Sequence, residues 1–419
     1  MRAVVILCLI FSLVFTGFSQ CEDGRYADII FSSATVESDI LYGNNIDYQG
    51  NEQDLFLDVY QPEGDLEDLR PLVIFAHGGS FVAGSKDGAD VVPLCSDFAR
   101  MGYVTASIQY RLGIAISFFI EQPATEAVIR GFHDMKAAIR FFRKSVEEDG
   151  NPYKIDINKI YLAGVSAGGF IALHNGYLDQ ESEIPPIVDQ SADGLTGGVE
   201  GDSGNSGYSS EIHGVVNICG ALADTAYMAT GDVPVVSFHG PNDAIVPYGS
   251  DTQTLGGFPV VEVDGSESID IKADELGIEN CFEIYEDQGH VPHVTSVAYY
   301  DTTRAIMSNF LSHLVCPDID LNCDYTEIFI VGVEEQLKNT NLHIYPNPAK
   351  DEVFVLVPQS VTESRIQILD HLGRVVYTSK ISAMQDRIEI ALGDLENGNY
   401  LIRWKDSQQS RTERLVIYH

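Results

Sequence analysis

Leu162-Ala163-Gly164-Val165-Ser166-Ala167-Gly168-Gly169-Phe170 decides the fold. The apolar run Ile160 to Ala163 reads as a buried strand, and Phe170 to Asn175 opens a helical stretch, so the serine of Gly-x-Ser-x-Gly falls on a strand-to-helix turn. Glycines two residues to either side remove side chains that would collide across so tight a turn. Ser166 is the expected nucleophile. The helix that follows directs its N-terminal amides at any oxyanion forming beside the serine, with Ala167 supplying one N–H.

Working outward, further apolar runs occur at Leu72 to Ala76, Tyr103 to Ile108, Gly214 to Ile218, Val233 to Phe238 and Phe282 to Tyr285. Helical patterns lie between them. In the clearest, His133 to Lys144, residues Met135, Ala138, Ile139 and Phe142 share one face. Another runs from about Asp301, the expected N-cap, to Leu314. Strand and helix in alternation specify an α/β fold with a mostly parallel sheet covered on both faces. The alternating segment Asp54 to Tyr60 precedes it as an expected antiparallel edge strand.

Three strand ends carry the remaining chemistry. His77-Gly78-Gly79-Ser80 follows Leu72 to Ala76, and its glycines let backbone amides turn toward a ligand, so Gly78 and Gly79 are expected oxyanion donors. His77 itself reads as structural. The strand Val233 to Phe238 runs into His239-Gly240-Pro241-Asn242-Asp243, and Phe282 to Tyr285 leads to Gln288-Gly289-His290. Asp243 and His290 thus reach the sheet edge that holds Ser166, the edge where open α/β sheets bind ligands. Their rivals, Asp232 and Asp287 for the acid and His239 and His293 for the base, do not follow a strand by the same few residues.

His77-Gly78-Gly79-Ser80-Phe81, Gly164 to Gly169, His239 to Asp243 and Gln288 to His290, in this order, resemble the α/β-hydrolase superfamily, specifically its carboxylesterase and lipase branch. The likeness covers about residues 50 to 315. It implies an eight-stranded, mostly parallel sheet and a Ser-His-Asp esterase working without cofactor or metal. Ser80 stands where many relatives carry a third glycine or an alanine. A carbohydrate esterase removing acetyl or feruloyl groups would use the same residues. A serine peptidase fits less well, because the chain shows no propeller-like domain. A non-catalytic adhesion protein is the reading from outside enzymology.

From about Asn341 the pattern changes to short strands at Val353 to Val357, Arg365 to Leu369, Arg374 to Tyr377, Arg387 to Leu392, Tyr400 to Trp404 and Arg414 to Tyr418. This predicts a small all-β sandwich. Tyr345-Pro346-Asn347-Pro348, Gly373-Arg374, Gly398 to Leu401 and the final Arg414 to Ile417 strand resemble the C-terminal sorting domain of the type IX secretion system. That likeness implies export, to the medium or the cell surface, with the secretion machinery as partner of residues 341–419. An immunoglobulin-like binding module is the other reading of this tail, and Trp404, the single tryptophan, makes a poor sugar platform.

The first residues fit the same route. Arg2, the apolar run Val4 to Phe15 and small residues at Gly17 and Ser19 read as a signal peptide over residues 1–19. Cys21 raises a lipid anchor, which Gln20 before it argues against. The expected division is then a hydrolase domain over 20–315, a linker over 316–340 and the sorting domain over 341–419. No later apolar run is long enough for a bilayer span, so stable membrane insertion is not expected. The chain has 25 basic and 62 acidic residues, and 52 of the acidic ones with 16 of the basic ones precede residue 341. A body of that charge is repelled by phosphate backbones, which excludes nucleic acid as a partner. Without Cys8, six cysteines remain of the seven. Among their fifteen possible pairings Cys316 with Cys323 is the one expected, on proximity. The Gly- and Ser-rich stretch 191–210 reads equally as a lid or a surface insertion.

Overall fold

The computed structural model describes residue 21, residues 24–115, 120–255 and 258–323, and most of the strands between 343 and 418. The signal-peptide expectation for residues 1–19 and the linker from 324 onward lie outside the described residues.

The first sheet has eight strands: β1 (Ala34–Ile46), β2 (Glu52–Pro62), β3 (Arg70–Ala76), β4 (Val104–Ile108), β5 (Ile155–Val165), β6 (Val215–Ile218), β7 (Val235–His239) and, after an intervening hairpin, β10 (Asn280–Ile284). Their order is β1-β2-β4-β3-β5-β6-β7-β10. From β4 to β10 every pairing is parallel, and the β1–β2 and β2–β4 pairs are antiparallel. Five helices cover it: α1 (Val92–Arg100), α2 (Glu121–Glu148), α3 (Ala167–Tyr177), α4 (Ser266–Leu276) and α5 (Val297–Val315).

Period-two alternation along the strands builds two apolar layers. Leu72 and Ile74 of β3 and Ile160 and Leu162 of β5 join Met135, Ile139, Leu173 and Ile269 from α2, α3 and α4. Val73, Phe75, Tyr161 and Ala163 point the other way, to Leu94 and Phe98 of α1 and Ile306 and Phe310 of α5. The sheet is therefore covered on both faces, as the repeated strand–helix pattern requires, and the fold is that of an α/β-hydrolase.

Several expectations are corrected. The strand expected at Asp54 to Tyr60 is β2, and it lies one place inside the edge because β1 pairs outside it. β1 carries register shifts between Glu37 and Ile40 and between Leu41 and Gly43, which interrupt the alternation that would have revealed it. Helix α5 starts four residues before Asp301. Ser296 is its N-cap, accepting from the Tyr299 N–H, and Asp301 instead pairs with Arg304. The disulfides are Cys21–Cys316 and Cys281–Cys323, not Cys316–Cys323, and Cys95 and Cys219 are buried free thiols. Tertiary contact over separations of 295 and 42 residues decides the pairing, which proximity in sequence could not anticipate.

Residues 191–210 are strapped to α2 and β1. His133 donates to the Gly198 carbonyl, Arg140 to those of Glu200 and Gly204, and Asn205 to that of Tyr42. Beneath the strap lies a fully buried ion pair, Arg111 with Asp134 at 2.7 Å. Asp134 also accepts from the Ser203 hydroxyl, and Arg111 donates to the carbonyls of Ile46 and Gly194. Asp134→Ala would leave the guanidinium buried without its counter-ion, so we expect a loss of about 3–5 kcal/mol in guanidinium chloride unfolding of the full chain. A loss below about 1 kcal/mol would show that the strap does not depend on this pair.

In the tail, β11 (His343–Tyr345), β12 (Glu352–Leu356) and β15 (Arg387–Ala391) form one antiparallel sheet. β13 (Ser364–Leu369), β14 (Val375–Ile381), β16 (Gly398–Lys405) and β17 (Ser410–Ile417) form another. Val353, Ile366, Ile390, Ile402 and Leu415 share one core with Trp404, which is fully buried and donates to Ser364 Oγ at 2.9 Å. Its indole is core packing and offers no face to a sugar.

Candidate active site

The elbow between β5 and α3 holds Ser166 at φ 53° and ψ −115°. Its N–H donates to the Ile218 carbonyl at 2.8 Å, tying the turn to the neighbouring strand. A non-glycine residue in this region is strained by about 1–3 kcal/mol, and the surrounding contacts must hold it there. A Cβ on Gly164 would lie 1.9 Å from the Gly168 carbonyl oxygen, and one on Gly168 would lie 2.0 Å from that of Ala76. Both obstacles are backbone and cannot rotate away. Gly168→Ala should therefore cost well over about 3 kcal/mol, visible as lost soluble yield or a sharply lowered thermal midpoint, unless the elbow rearranges. A variant with wild-type stability would mean that the turn is looser than described.

The three strand ends meet here. Ser166 Oγ donates to His290 Nε2 at 2.8 Å, and His290 Nδ1 donates to Asp243 Oδ2 at 2.6 Å. Asp243 Oδ1 accepts the N–H groups of Ile245 and Val246 at 2.8 and 3.0 Å, so the loop after β7 wraps its own carboxylate. The Asp243 side chain is fully buried, and His290 keeps 14% of its side-chain surface. Burial pushes the Asp243 pKa up, but the hydrogen bonds from His239 and His290 outweigh it and hold the carboxyl well below the usual carboxylate range. A buried carboxylate that stays ionised fixes the proton of His290 on Nδ1 and leaves Nε2 as an acceptor facing the serine.

The rivals fall elsewhere. Asp232 accepts from the Ala229 N–H, and Asp287 lies exposed in the turn before His290. His293 is buried, which lowers its pKa to about 4, and makes no hydrogen bond to Ser166. His239 does not reach the serine but bonds to Asp243 at 3.1 Å, a link the sequence reading did not foresee.

Of the amides expected to face an oxyanion, one already has an acceptor. The Gly78 N–H donates to Asp90 Oδ2 at 2.7 Å and is spoken for. Gly79, Ser80 and Phe81 follow at φ 120°, 54° and 60°, a run of left-handed residues that turns the chain back. Ser80 and Ala167 line the cavity at Ser166. Ala167 is the first residue of α3, so its N–H has no intrahelical acceptor. Ser80, which the Gly-Gly signal alone had not included, thus stands with Ala167 beside the serine.

A cavity of about 70 Å³ opens beside the serine. Phe81, Phe170, Val128, Ile114 and Val246 supply apolar wall, and Gln253, Thr254, Val260 and Val261 come from a hairpin of β8 (Ser250–Leu255) and β9 (Phe258–Asp264). Among the described residues none of the lining is charged and none belongs to 191–210, so the hairpin rather than that strap flanks the site. The Cys219 thiol lies within 4.8 Å of the Asp243 and His290 ligand atoms, a spacing that could hold a metal. Burial drives its pKa up.

Residues 57–221 match the family model described as BD-FAE, and residues 343–418 match that of the secretion system C-terminal sorting domain. Human carboxylesterase 3 is 32% identical over 133 residues, 32% of this chain and 22% of that protein. Esterase LipC of Mycobacterium tuberculosis is 29% identical over 152 residues, 35% of this chain and 34% of the relative. The chain thus matches about a fifth to a third of these relatives' lengths. Among solved structures, esterase 2 of Thermogutta terrifontis phosphorylated by paraoxon aligns with 68% of this chain and 95% of its own at 21% identity and a TM-score of 0.48. A truncated carbohydrate esterase from gut microbiota aligns with 69% and 98% at 18% identity and a TM-score of 0.47. By the family models and its own sheet order, the chain carries an α/β-hydrolase domain of the BD-FAE family at 57–221 and a secretion system C-terminal sorting domain at 343–418.

Proposed function

We propose that the protein is a secreted serine esterase that hydrolyses carboxylic esters through Ser166, His290 and Asp243. The observation that carries this reading is the unbroken series of hydrogen bonds from Ser166 Oγ through His290 to Asp243, at 2.8 and 2.6 Å, on the wall of an uncharged cavity.

His290 Nε2 takes the hydroxyl proton as Ser166 Oγ attacks the ester carbonyl, and the Asp243 carboxylate stabilises the imidazolium that forms. The carbonyl oxygen becomes an oxyanion beside the amides of Gly79, Ser80 and Ala167, each worth on the order of 100- to 1,000-fold in rate. Collapse breaks the bond to the alcohol oxygen, which leaves with the proton from His290. Water then gives a proton to His290 and attacks the acyl–serine, the same amides hold the second oxyanion, and its collapse releases the acid as Ser166 Oγ takes the proton back from His290. Phe81, Phe170, Val128 and Val246 suit an apolar acyl group over a charged one. The tail at 343–418 supports delivery by the type IX route. Among the described residues no helix is long and apolar enough to cross a membrane.

A hydrolysis panel of p-nitrophenyl acetate through palmitate, methyl ferulate and acetylated xylan tests the reading, together with fluorophosphonate labelling mapped by mass spectrometry. The expected result is ester turnover and a single label on Ser166. Turnover confined to the acylated polysaccharide would move the assignment to a carbohydrate esterase. No turnover and no label would overturn it.

A further inference from the structure

Asp243 is held by two imidazoles, and the second has a fixed proton. His239, the last residue of β7, is fully buried. Its Nε2 faces Asp243 Oδ2 at 3.1 Å and the Val246 carbonyl at 3.3 Å. A carboxylate and a carbonyl are acceptors only, so Nε2 must carry the hydrogen. Nδ1 then accepts from the Ser266 hydroxyl at 2.8 Å. Ser266 Oγ accepts in turn from Asn217 Nδ2 at 3.0 Å, and Asn217 Oδ1 accepts the Gly220 N–H at 2.9 Å. The series Asn217, Ser266, His239, Asp243 therefore has one consistent hydrogen assignment. Tyr248 packs edge-on against the His239 ring at 5.8 Å and hinders its rotation.

We propose that His239 is a positioning residue: its Nε2–H, locked by Ser266, fixes the Asp243 oxygen that orients His290. The four hydrogen bonds on the carboxylate support this. Oδ1 takes the two loop amides and Oδ2 takes the two imidazoles, so each oxygen is pinned from its own side. Without the His239 donor, Oδ2 would be held by His290 alone, and an acid meant to hold its base would instead be steered by it. His239 is absent from the described cavity wall. The inference rests on the reading of Ser166, His290 and Asp243 as the reacting set.

The test uses the full chain with p-nitrophenyl butyrate and four variants. His239→Leu removes the donor, and kcat should fall about 10- to 100-fold with KM within about twofold, because orientation is lost while the acyl cavity is untouched. His239→Gln places an amide N–H near the position of Nε2 and should recover most of that loss. Ser266→Ala removes the hydroxyl that anchors the ring at Nδ1, loosens its orientation and should cost about 3- to 10-fold in kcat. In an Asp243→Ala background, His239→Leu should cost nothing more, since the residue it acts through is gone. The proposal is overturned if His239→Leu keeps kcat within about twofold of wild type, if Gln and Leu lose equally, or if the Leu cost persists without Asp243. Should His239→Leu fail to fold by circular dichroism, the Gln and Ser266→Ala variants decide, and wild-type kcat in Ser266→Ala is then the overturning result. Activity of Ser166→Ala within about tenfold of wild type would instead remove the underlying reading, so the two failures are distinct.

Discussion

Ser166→Ala should lower kcat on a p-nitrophenyl ester by about 10⁴- to 10⁶-fold while leaving substrate binding near wild type. The size follows from the geometry. The hydroxyl is the one group at the elbow bonded to His290 Nε2, and alanine keeps the elbow, the cavity and the amides while removing the atom that attacks. What survives is catalysis by the oxyanion donors and by binding, roughly 10³- to 10⁴-fold over water. A second substitution separates chemistry from stability. Ser166→Gly is equally inactive, but at φ 53° and ψ −115° glycine has no Cβ to strain, so the thermal midpoint should rise by the equivalent of about 1 kcal/mol. An alanine variant within tenfold of wild type would remove Ser166 from the chemistry. A glycine variant less stable than wild type would show that no strain is stored at the turn.

Strand-centred features were legible because they depend on local pattern. Six apolar runs became β3, β4, β5, β6, β7 and β10, and the residues a few positions past β5, β7 and β10 converge because parallel strands all end at one edge. Features set by tertiary contact were not legible. β1 hid behind two bulges in a polar sequence, and the β8–β9 hairpin carries no alternation strong enough to announce it, although it forms one wall of the cavity. Cys21 meets Cys316 only because residues 24–31 run back along the end of α1, where Tyr26, Ile30 and Phe31 bond to the carbonyls of Met101 and Arg100. The acceptor of the Gly78 amide was hidden for a similar reason: Asp90, twelve residues on, takes it. His239 was set aside as a rival base, and no sequence signal says that its ring turns toward the acid rather than the serine. A buried hydroxyl 27 residues further along, Ser266, decides that.

Asp243→Asn should cost about 10⁴-fold in kcat, nearly as much as losing the nucleophile, although the side chain keeps its shape. Asparagine can retain the loop by accepting the Ile245 and Val246 amides on its oxygen, as Asp243 Oδ1 does at 2.8 and 3.0 Å. Its NH₂ group then occupies the place of Oδ2 and points donors at two ring nitrogens that both carry hydrogen. His290 resolves the conflict by shifting its proton from Nδ1 to Nε2, which aims an N–H at Ser166 and removes the base. His239 loses its bond to the old carboxylate and keeps its Nε2–H on the Val246 carbonyl at 3.3 Å. Flipping the amide would relieve the imidazoles only by turning the NH₂ group onto the two loop N–H groups, which then lose their acceptor. The loss should therefore appear in kcat with little change in KM, and it should ease at high pH, where hydroxide can serve in place of the missing base. An Asn variant within about tenfold of wild type at pH 7 would mean that Asp243 orients nothing, and that another acid, or none, sets the tautomer of His290.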